Sequence, residues 1–314
     1  MKTRQAVLVE PGRFEIRQAD ISVGPGGLLV ETVGCGLCTY ELNHWAGRMG
    51  KCPMVLGHEG YGVVVEVGPA TSGRVKVGDA VTGLCGECFA DYFTMPESHT
   101  MLLRADLDQK HVPGEPLYCV HNVVRAAHPE IGDVLAIVGC GPMGLWALQA
   151  LTSSTLRAVV AVDIDDEKLK LAASFGATHA VNAGKCDPVE AVREITDGRM
   201  VDVAVEGTGG PGVKTAIELL RPRRPKLVIM SSFKRPLEVD MVMLCAKAVE
   251  MIHAHPGICM DKEDGCRRTE TLINNGVFKT DRLISHRFPL VEIQKAFETF
   301  EHRPAGYLKG IVTR

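Results

Sequence analysis

The stretch from Val134 to Asp163, VLAIVGCGPMGLWALQALTSSTLRAVVAVD, constrains this chain more than any other. Val134–Val138 is a short apolar run rich in β-branched residues, suited to a strand buried on both faces. Gly139-Cys140-Gly141-Pro142-Met143-Gly144 then spells G-x-G-x-x-G at the turn into a helix. In that pattern the first glycine permits a tight turn, the second lets a pyrophosphate approach the backbone, and the third lets helix and strand pack closely. The helix N-terminus adds unpaired N–H groups and partial positive charge, both suited to an anion. A second apolar run, Ala158–Val162, ends in Asp163, 24 residues after Gly139. A carboxylate there can accept hydrogen bonds from both adenosine ribose hydroxyls and would repel a 2′-phosphate. No charge falls between Val134 and Leu156, a length that raises the question of a membrane span. The glycines and proline at its centre, with Ser153, Ser154 and Thr155, favour a soluble strand–helix–strand unit instead.

At 314 residues the chain has room for one large or two ordinary domains, each with a real core. A net charge of −3 gives no electrostatic case for nucleic acid or an anionic membrane. The first residues, MKTRQAVLVEPGRFEIR, are charged throughout and lack an apolar h-region, so no secretory signal is expected. The 11 cysteines therefore read as reduced thiols in a cytoplasmic protein, a few of them free to ligate a metal.

Two textures alternate along the chain. Residues 1–119 are short β-rich segments (QAVLVE, LLVETV, GYGVVVEVG, GDAVTG) punctuated by glycine turns. Residues 120–255 alternate strand and helix patterns, with strands expected at Val134–Val138, Ala158–Val162, Val201–Val205, Leu227–Met230 and Val249–Ile252. That alternation predicts a parallel sheet covered by helices on both faces. Residues 256–314 return to mixed character, with a helix over Leu290–Glu301 and a closing strand over Tyr307–Thr313. The expected fold class is α/β: a β-rich domain built from both chain ends, 1–119 and 256–314, around a doubly wound dinucleotide-binding domain, 120–255.

Three places before the glycine turn carry metal-ligand chemistry. They are Cys38 in GCGLC, His58 and Glu59 in LGHEG, and Glu115 in GEPL. Thiolate, imidazole and carboxylate form a mixed set that suits zinc with one coordination position open, whereas a closed structural site would use three or four cysteines. From the residues alone, ordinary core or surface roles stand beside that reading.

GHEGYGVVVEVG with VKVGD, GCGPMG with its Asp163, and LISHRFPLVEIQKAFETF together resemble the medium-chain zinc-dependent alcohol dehydrogenases. CGLCTYELNHW and GEPL are most similar to the sorbitol and polyol branch of that family. The resemblance spans nearly the whole chain and implies a GroES-like catalytic domain, an NAD-binding Rossmann domain and one catalytic zinc. It makes Cys38 and His58 zinc ligands, Glu59 a ligand or close acid, and Glu115 either a ligand or the partner of a zinc-bound water. Gly139, Gly141, Pro142, Met143 and Gly144 become the pyrophosphate turn, Asp163 and Lys168 the ribose contacts, and Thr208 with Gly209 the turn near the nicotinamide. His286 matches a position in the family's T/S-H-R-F turn.

The chain also departs from that pattern. The family's four-cysteine lobe for a second zinc is missing, because Val81 runs through Cys85 and Cys88 straight into Phe89. Two thiols cannot close a tetrahedral site. A redox role rests on spacing alone, so the pair is expected to pack as small apolar side chains in a turn. Tyr40 stands where the family usually has a small hydroxyl residue that takes the alcohol proton, with Thr39 beside it. Either Tyr40 relays the proton with altered geometry, or Thr39 or water does, or Tyr40 is a pocket wall. Glu41 replaces the family's aspartate, and Asn43 its distal histidine, with His44 one place on. Glu41, Asn43 and His44 are expected near the pocket, and His253 and His255 are candidates for substrate hydroxyls. Arg221, Arg223 and Arg224 are expected to cap the helix at Thr215–Leu220.

The resulting expectation is reversible, zinc- and NAD-dependent oxidation of a secondary alcohol of a polyol, cyclitol or sugar-like substrate to a ketone. Expected partners are the small-molecule alcohol and further copies of the chain, as a homodimer or homotetramer. A zinc-free NAD(P)H-dependent enone or quinone reductase is the competing enzyme reading, and a non-catalytic cofactor-binding protein the competing reading of another class.

Overall fold

A computed structural model describes residues 1–107, 112–233, 235–254 and 261–314. The chain divides into two compact units, Met1–Tyr118 with Asp261–Arg314, and Cys119–Met260.

The first unit opens with β1 (Lys2–Glu10), β2 (Arg13–Asp20), β3 (Gly27–Gly36), helix α1 (Thr39–Trp45), β4 (Met54–Val55), β5 (Gly60–Val67), β6 (Ala80–Gly83), β7 (Tyr92–Pro96) and β8 (Thr100–Leu102). Helix α2 (Gly114–Ala127) follows. β2 went unexpected because RFEIRQAD is charged and exposed along most of its length and shows no apolar face. β3 is the hub: it pairs antiparallel with both β5 and β7, and its ladder with β5 carries two register shifts. The two strands come very close at Gly62, where a Cβ would lie 2.0 Å from the Glu31 carbonyl oxygen.

The second unit runs β9 (Val134–Val138), α3 (Pro142–Leu151), β10 (Ala158–Asp163), α4 (Asp166–Ser174), β11 (His179–Asn182), α5 (Pro188–Ile195), β12 (Val203–Glu206), α6 (Gly212–Leu219), β13 (Lys226–Ile229), α7 (Met241–Lys247) and β14 (Glu250–His253). Its six strands lie in the order β11-β10-β9-β12-β13-β14, each neighbouring pair parallel. β9 is buried at every residue, as a strand covered on both faces must be. The chain winds outward from β9 in both directions, so the switch point lies between β9 and β12. In such sheets ligands bind at the carboxyl ends of the strands beside that point.

Two expectations in this unit are corrected. Val201 makes only an isolated bridge with Leu220, and β12 proper begins at Val203. The arginines after α6 do not cap it. Arg221 pairs with Asp202 and Arg224 with Glu250, while Lys247 Nζ donates to the terminal carbonyls of Ile217 and Glu218, each at 2.9 Å. Among the described residues no helix is long and apolar enough to cross a membrane.

The chain then returns to the first unit through α8 (Lys262–Asn274), β15 (Ile284–Pro289), α9 (Ile293–His302) and β16 (Lys309–Thr313). α9 buries Ile293, Ala296, Phe297 and Phe300, one face at helical spacing. The Phe297 ring packs against Phe14, Trp45 and Phe89 at centroid separations of 4.9, 6.0 and 5.7 Å, which anchors α1 through its last residue. β16 bonds to β15 and β3 and delivers Lys309 into the interior. Lys309 Nζ lies 2.7 and 2.6 Å from the two carboxylate oxygens of Glu59 and donates to the Leu37 carbonyl at 3.0 Å. Burial works most strongly, and against the ammonium, but Glu59, Cys38 and Tyr307 together outweigh it, Glu59 foremost, and the Lys309 pKa stands above its ordinary value.

Removing one partner of a buried ion pair is strongly destabilising because the other charge is left uncompensated. Lys309→Met should lower the unfolding free energy by about 3–5 kcal/mol, read from the urea midpoint at neutral pH. A midpoint equal to that of the wild type would refute this account of the pair.

Candidate functional site

The metal-ligand candidates all belong to the first unit. Cys38 is the N-cap of α1, with extended backbone, so its thiol sits at the junction between β3 and the helix. His58 and Glu59 occupy the segment just before β5, and Glu115 stands in the first turn of α2. Ligand atoms of Cys38, Glu41 and His58 lie within 4.8 Å of one another, and so do those of His58, Glu59 and Glu115. His58 belongs to both groups and is the centre of the cluster.

Glu41 is the functional residue that the sequence reading undervalued. It lies three residues after Cys38, one helical turn on, and is 1% exposed; its Oε1 receives His58 Nδ1. That contact fixes the ring and turns Nε2 toward Glu115, whose Oε2 is 3.6 Å away. Burial disfavours the charged imidazole, but Glu41, Cys38 and Glu115 together outweigh it and raise the His58 pKa well above its ordinary value. Burial also raises the Cys38 thiol, with the hydrogen bond to His58 acting in the opposite direction. Among the described residues the other oxygen of Glu41 is buried with no hydrogen-bond partner.

A thiol and three carboxylates therefore crowd one imidazole, with Lys309 the cation that reaches Glu59. This donor set fits a divalent cation of borderline softness, and zinc takes sulfur, nitrogen and oxygen ligands together.

Tyr40 is 51% exposed, and its ring stands edge-on to His58 and His44 at centroid separations of 5.5 and 4.7 Å. Thr39 beside it is half-buried. Of the three residues expected near the pocket, Glu41 reaches His58 itself. Glu41 and His44 are buried, and Asn43 accepts a hydrogen bond from Arg48 at 3.2 Å. His253 is exposed at the end of β14, whereas His255 lies outside the described residues. The His286 ring lies 4.9 Å from that of Tyr307.

The glycine turn lies in the second unit, at the carboxyl end of β9. Gly139 has φ +97°, which only glycine adopts readily. A Cβ on Gly144 would lie 1.9 Å from the Gly139 carbonyl oxygen, so α3 can approach β9 only with glycine there. Gly141 faces open space and is the N-cap of α3, with Pro142 next and Met143 in the first turn. Among the described residues no side chain caps this helix, so its first N–H groups lack a side-chain acceptor there.

Asp163 ends β10 and ties the turn together: Oδ2 accepts from Cys140 N at 2.6 Å, and Oδ1 accepts from Ile164 N at 2.8 Å and Asp165 N at 3.0 Å. Lys168 lies in α4, its Nζ 3.6 Å from Asp165. Thr208 is exposed after β12, and the turn it belongs to is held by Glu206, a fully buried acid absent from the sequence reading. Glu206 accepts from the Thr208 N–H at 2.6 Å and the Gly209 N–H at 3.0 Å, and from the hydroxyls of Thr208 and Ser231. The signal was an acid closing an apolar strand two residues before Thr208.

Two family models match the chain: the alcohol dehydrogenase GroES-like domain over residues 24–105 and the zinc-binding dehydrogenase over residues 142–258. Among curated proteins, the chain is 28% identical to the L-threonine 3-dehydrogenase of Bacillus subtilis strain 168, over 89% of each chain. It is also 28% identical to the D-arabitol-phosphate dehydrogenase of Enterococcus avium, over 92% of this chain and 91% of that one. Among solved structures it superposes on a Sinorhizobium meliloti 1021 protein described as a zinc-binding dehydrogenase and bound to NADP, with a TM-score of 0.87, 25% identity and full coverage of both chains. The fold also matches the 2R,3R-butanediol dehydrogenase of Bacillus subtilis, with a TM-score of 0.86 over 99% of each chain at 23% identity. With a GroES-like unit, a Rossmann-type parallel sheet and matching sequence over both, the chain belongs to the medium-chain zinc-type alcohol dehydrogenase family.

Proposed function

We propose that this chain is a zinc- and NAD-dependent dehydrogenase that reversibly oxidises a secondary alcohol of a polyol, cyclitol or sugar-like substrate to a ketone. The observation that carries the reading is the cluster of Cys38, His58 and acids around one imidazole, in a chain that also holds a dinucleotide turn. The enone or quinone reductase alternative lacks a use for such a donor set. Two relatives, the threonine 3-dehydrogenase and the arabitol-phosphate dehydrogenase, favour hydroxyls on polar carbon chains. The ten free cysteines among the described residues suit a cytoplasmic protein, and we expect a homodimer or homotetramer.

Cys38, His58 and Glu115 would hold the zinc. Glu59, whose two oxygens both face Lys309, would be the adjacent acid. Glu41 on His58 Nδ1 leaves Nε2 for the metal, the usual arrangement of a carboxylate behind a ligating histidine. When bound, zinc supplies a Lewis acid that makes the alcohol hydroxyl more acidic, and NAD supplies the hydride acceptor. Tyr40, exposed and edge-on to His58, would take the hydroxyl proton, with Thr39 or water as the competing acceptor. Gly139, Gly141, Pro142, Met143 and Gly144 would hold the pyrophosphate on the N-terminus of α3, Asp163 and Lys168 the adenosine ribose, and Thr208 the nicotinamide end.

The direct test is NADH formation across a panel of polyols, cyclitols, sugars and amino alcohols, with elemental analysis of the same protein. One zinc per chain and turnover of at least one such alcohol are expected. Cys38→Ala should abolish turnover while NAD binding, measured by calorimetry, stays within a few-fold, because the cofactor turn belongs to the other unit. A Cys38→Ala variant that retains full zinc and activity would overturn the ligand assignment.

Cofactor preference follows from charge. Asp163 ends β10 and Asp165 and Asp166 follow it at the start of α4, so negative charge would meet an adenosine 2′-phosphate, and the positive end of α4 is already capped by Asp165. Although one structural neighbour binds NADP, this chain should prefer NAD by at least about tenfold in kcat/KM, roughly 1.4 kcal/mol. Equal efficiency with both cofactors would refute the assignment of Asp163.

The proton route is tested by Tyr40→Phe. If its hydroxyl is the acceptor, kcat and kcat/KM should fall together by roughly 10²–10⁴-fold. Thr39→Val is the control that removes the neighbouring hydroxyl at similar volume. A Tyr40→Phe variant with wild-type kcat, under conditions where a deuterated substrate shows hydride transfer to be rate-limiting, would pass the role to Thr39 or water.

A further inference from the structure

The Cys85–Cys88 pair lies outside the assigned chemistry, and its geometry supplies what spacing alone did not. The two Sγ atoms are 3.1 Å apart, although both residues are free thiols. A disulfide bond is about 2.05 Å long, so closure needs only about 1 Å of travel. The loop that carries the pair is not free to drift. Cys88 N donates to the Gly57 carbonyl at 3.0 Å and Phe89 N to the Leu56 carbonyl at 3.2 Å, which straps the loop to the segment carrying His58. Between the thiols, Gly86 faces open space, so the tip has room to adjust while its base stays pinned.

The two sulfurs also differ in access. Cys85 is half-buried, whereas Cys88 is fully buried with its side chain against Gly60. A soluble reagent therefore meets Cys85 first, with Cys88 waiting behind it.

We propose that Cys85 and Cys88 are a redox-active dithiol that takes a low-molecular-weight disulfide as its oxidant and closes reversibly to an intramolecular disulfide. In the first step Cys85, having lost its proton to solvent, attacks one sulfur of the reagent. A bond forms between Cys85 Sγ and that sulfur, the reagent's own S–S bond breaks, and one thiolate leaves. In the second step Cys88 gives up its proton and attacks Cys85 Sγ, forming the Sγ–Sγ bond and expelling the second thiolate. The two cysteines lose two electrons and two protons, and the reagent disulfide gains both as two thiols. Closure also removes the proton that Cys85 Sγ shares with the His58 carbonyl at 3.6 Å.

The test reads mass and does not depend on the dehydrogenase reading. Val77–Arg104 contains both cysteines with no internal Lys or Arg, and Gln18–Arg48 contains Cys35 and Cys38. The intact, metal-loaded protein is incubated with oxidised glutathione, quenched in acid, alkylated and digested with trypsin. The expected product is an unalkylated Val77–Arg104 peptide two hydrogens lighter than the reduced form, which accepts two alkyl groups after dithiothreitol. Cys88→Ser should trap glutathione on Cys85, with Cys88→Ala as the substitute should serine disturb the buried site. Cys85→Ser should leave Cys88 reduced. The proposal is overturned by a cross-link between Val77–Arg104 and Gln18–Arg48, or by glutathione resting stably on wild-type Cys85. Two unreacted thiols alongside a glutathionylated Cys186, which is exposed and reports access of the reagent, would overturn it equally.

Discussion

The buried contact between Lys309 and Glu59 is the constraint on which the first unit depends. A carboxylate 1% exposed is costly unless a cation meets it, and that cation arrives on the last strand of the sheet. The pair thus couples strand order to site chemistry. β16 must lie between β15 and β3 for Lys309 to reach Glu59, and Glu59 must sit just before β5 for the charge to be wanted there. The same ammonium holds the Leu37 carbonyl, one residue before Cys38.

Around that pair the site is arranged to concentrate negative charge. Glu41 and the Cys38 thiol approach His58 from α1 and its N-cap, Glu59 from the segment before β5 and Glu115 from α2. Close-packed like charges are tolerable where a divalent cation joins them, and the hydrogen bond at Nδ1 presets the ring for one. Rigidity comes from apolar packing one layer out, where Trp45 at the end of α1 rests on Phe297. A polar site is therefore held in register by an aromatic contact that touches none of its atoms.

Much of this was legible in the residues. The glycine turn, Asp163 and the alternation of apolar strands gave the parallel sheet, because each depends on local chemistry read over a few positions. Cys38, His58 and Glu59 were visible as residue types, and the resemblance supplied their relation. What stayed hidden depended on distant pairing. Lys309 is 250 positions from its partner Glu59, and no periodicity announces such a contact. Glu41 is legible as a polar residue near the expected pocket, but its buried contact with His58 depends on the helix that turns it inward. β2 and β11 were missed since both are largely exposed strands whose hydrogen bonds, not apolar faces, keep them in place.

The first unit is closed by segments that flank the second, and this has a consequence for biosynthesis. The dinucleotide unit is contiguous in sequence, so its strands can pair as soon as they leave the ribosome. The first unit cannot finish then, because β16 and Lys309 are translated after the entire second unit. Until they emerge, Glu59 lacks the Lys309 ammonium and the Cys35–Gly36 end of β3 lacks its pairing with β16, while β5 and β7 can already pair the rest of that strand. Completion of the first unit thus falls late in the chain's synthesis, and the nascent protein spends that interval with the strands of the second unit already made and the Glu59 carboxylate still without Lys309.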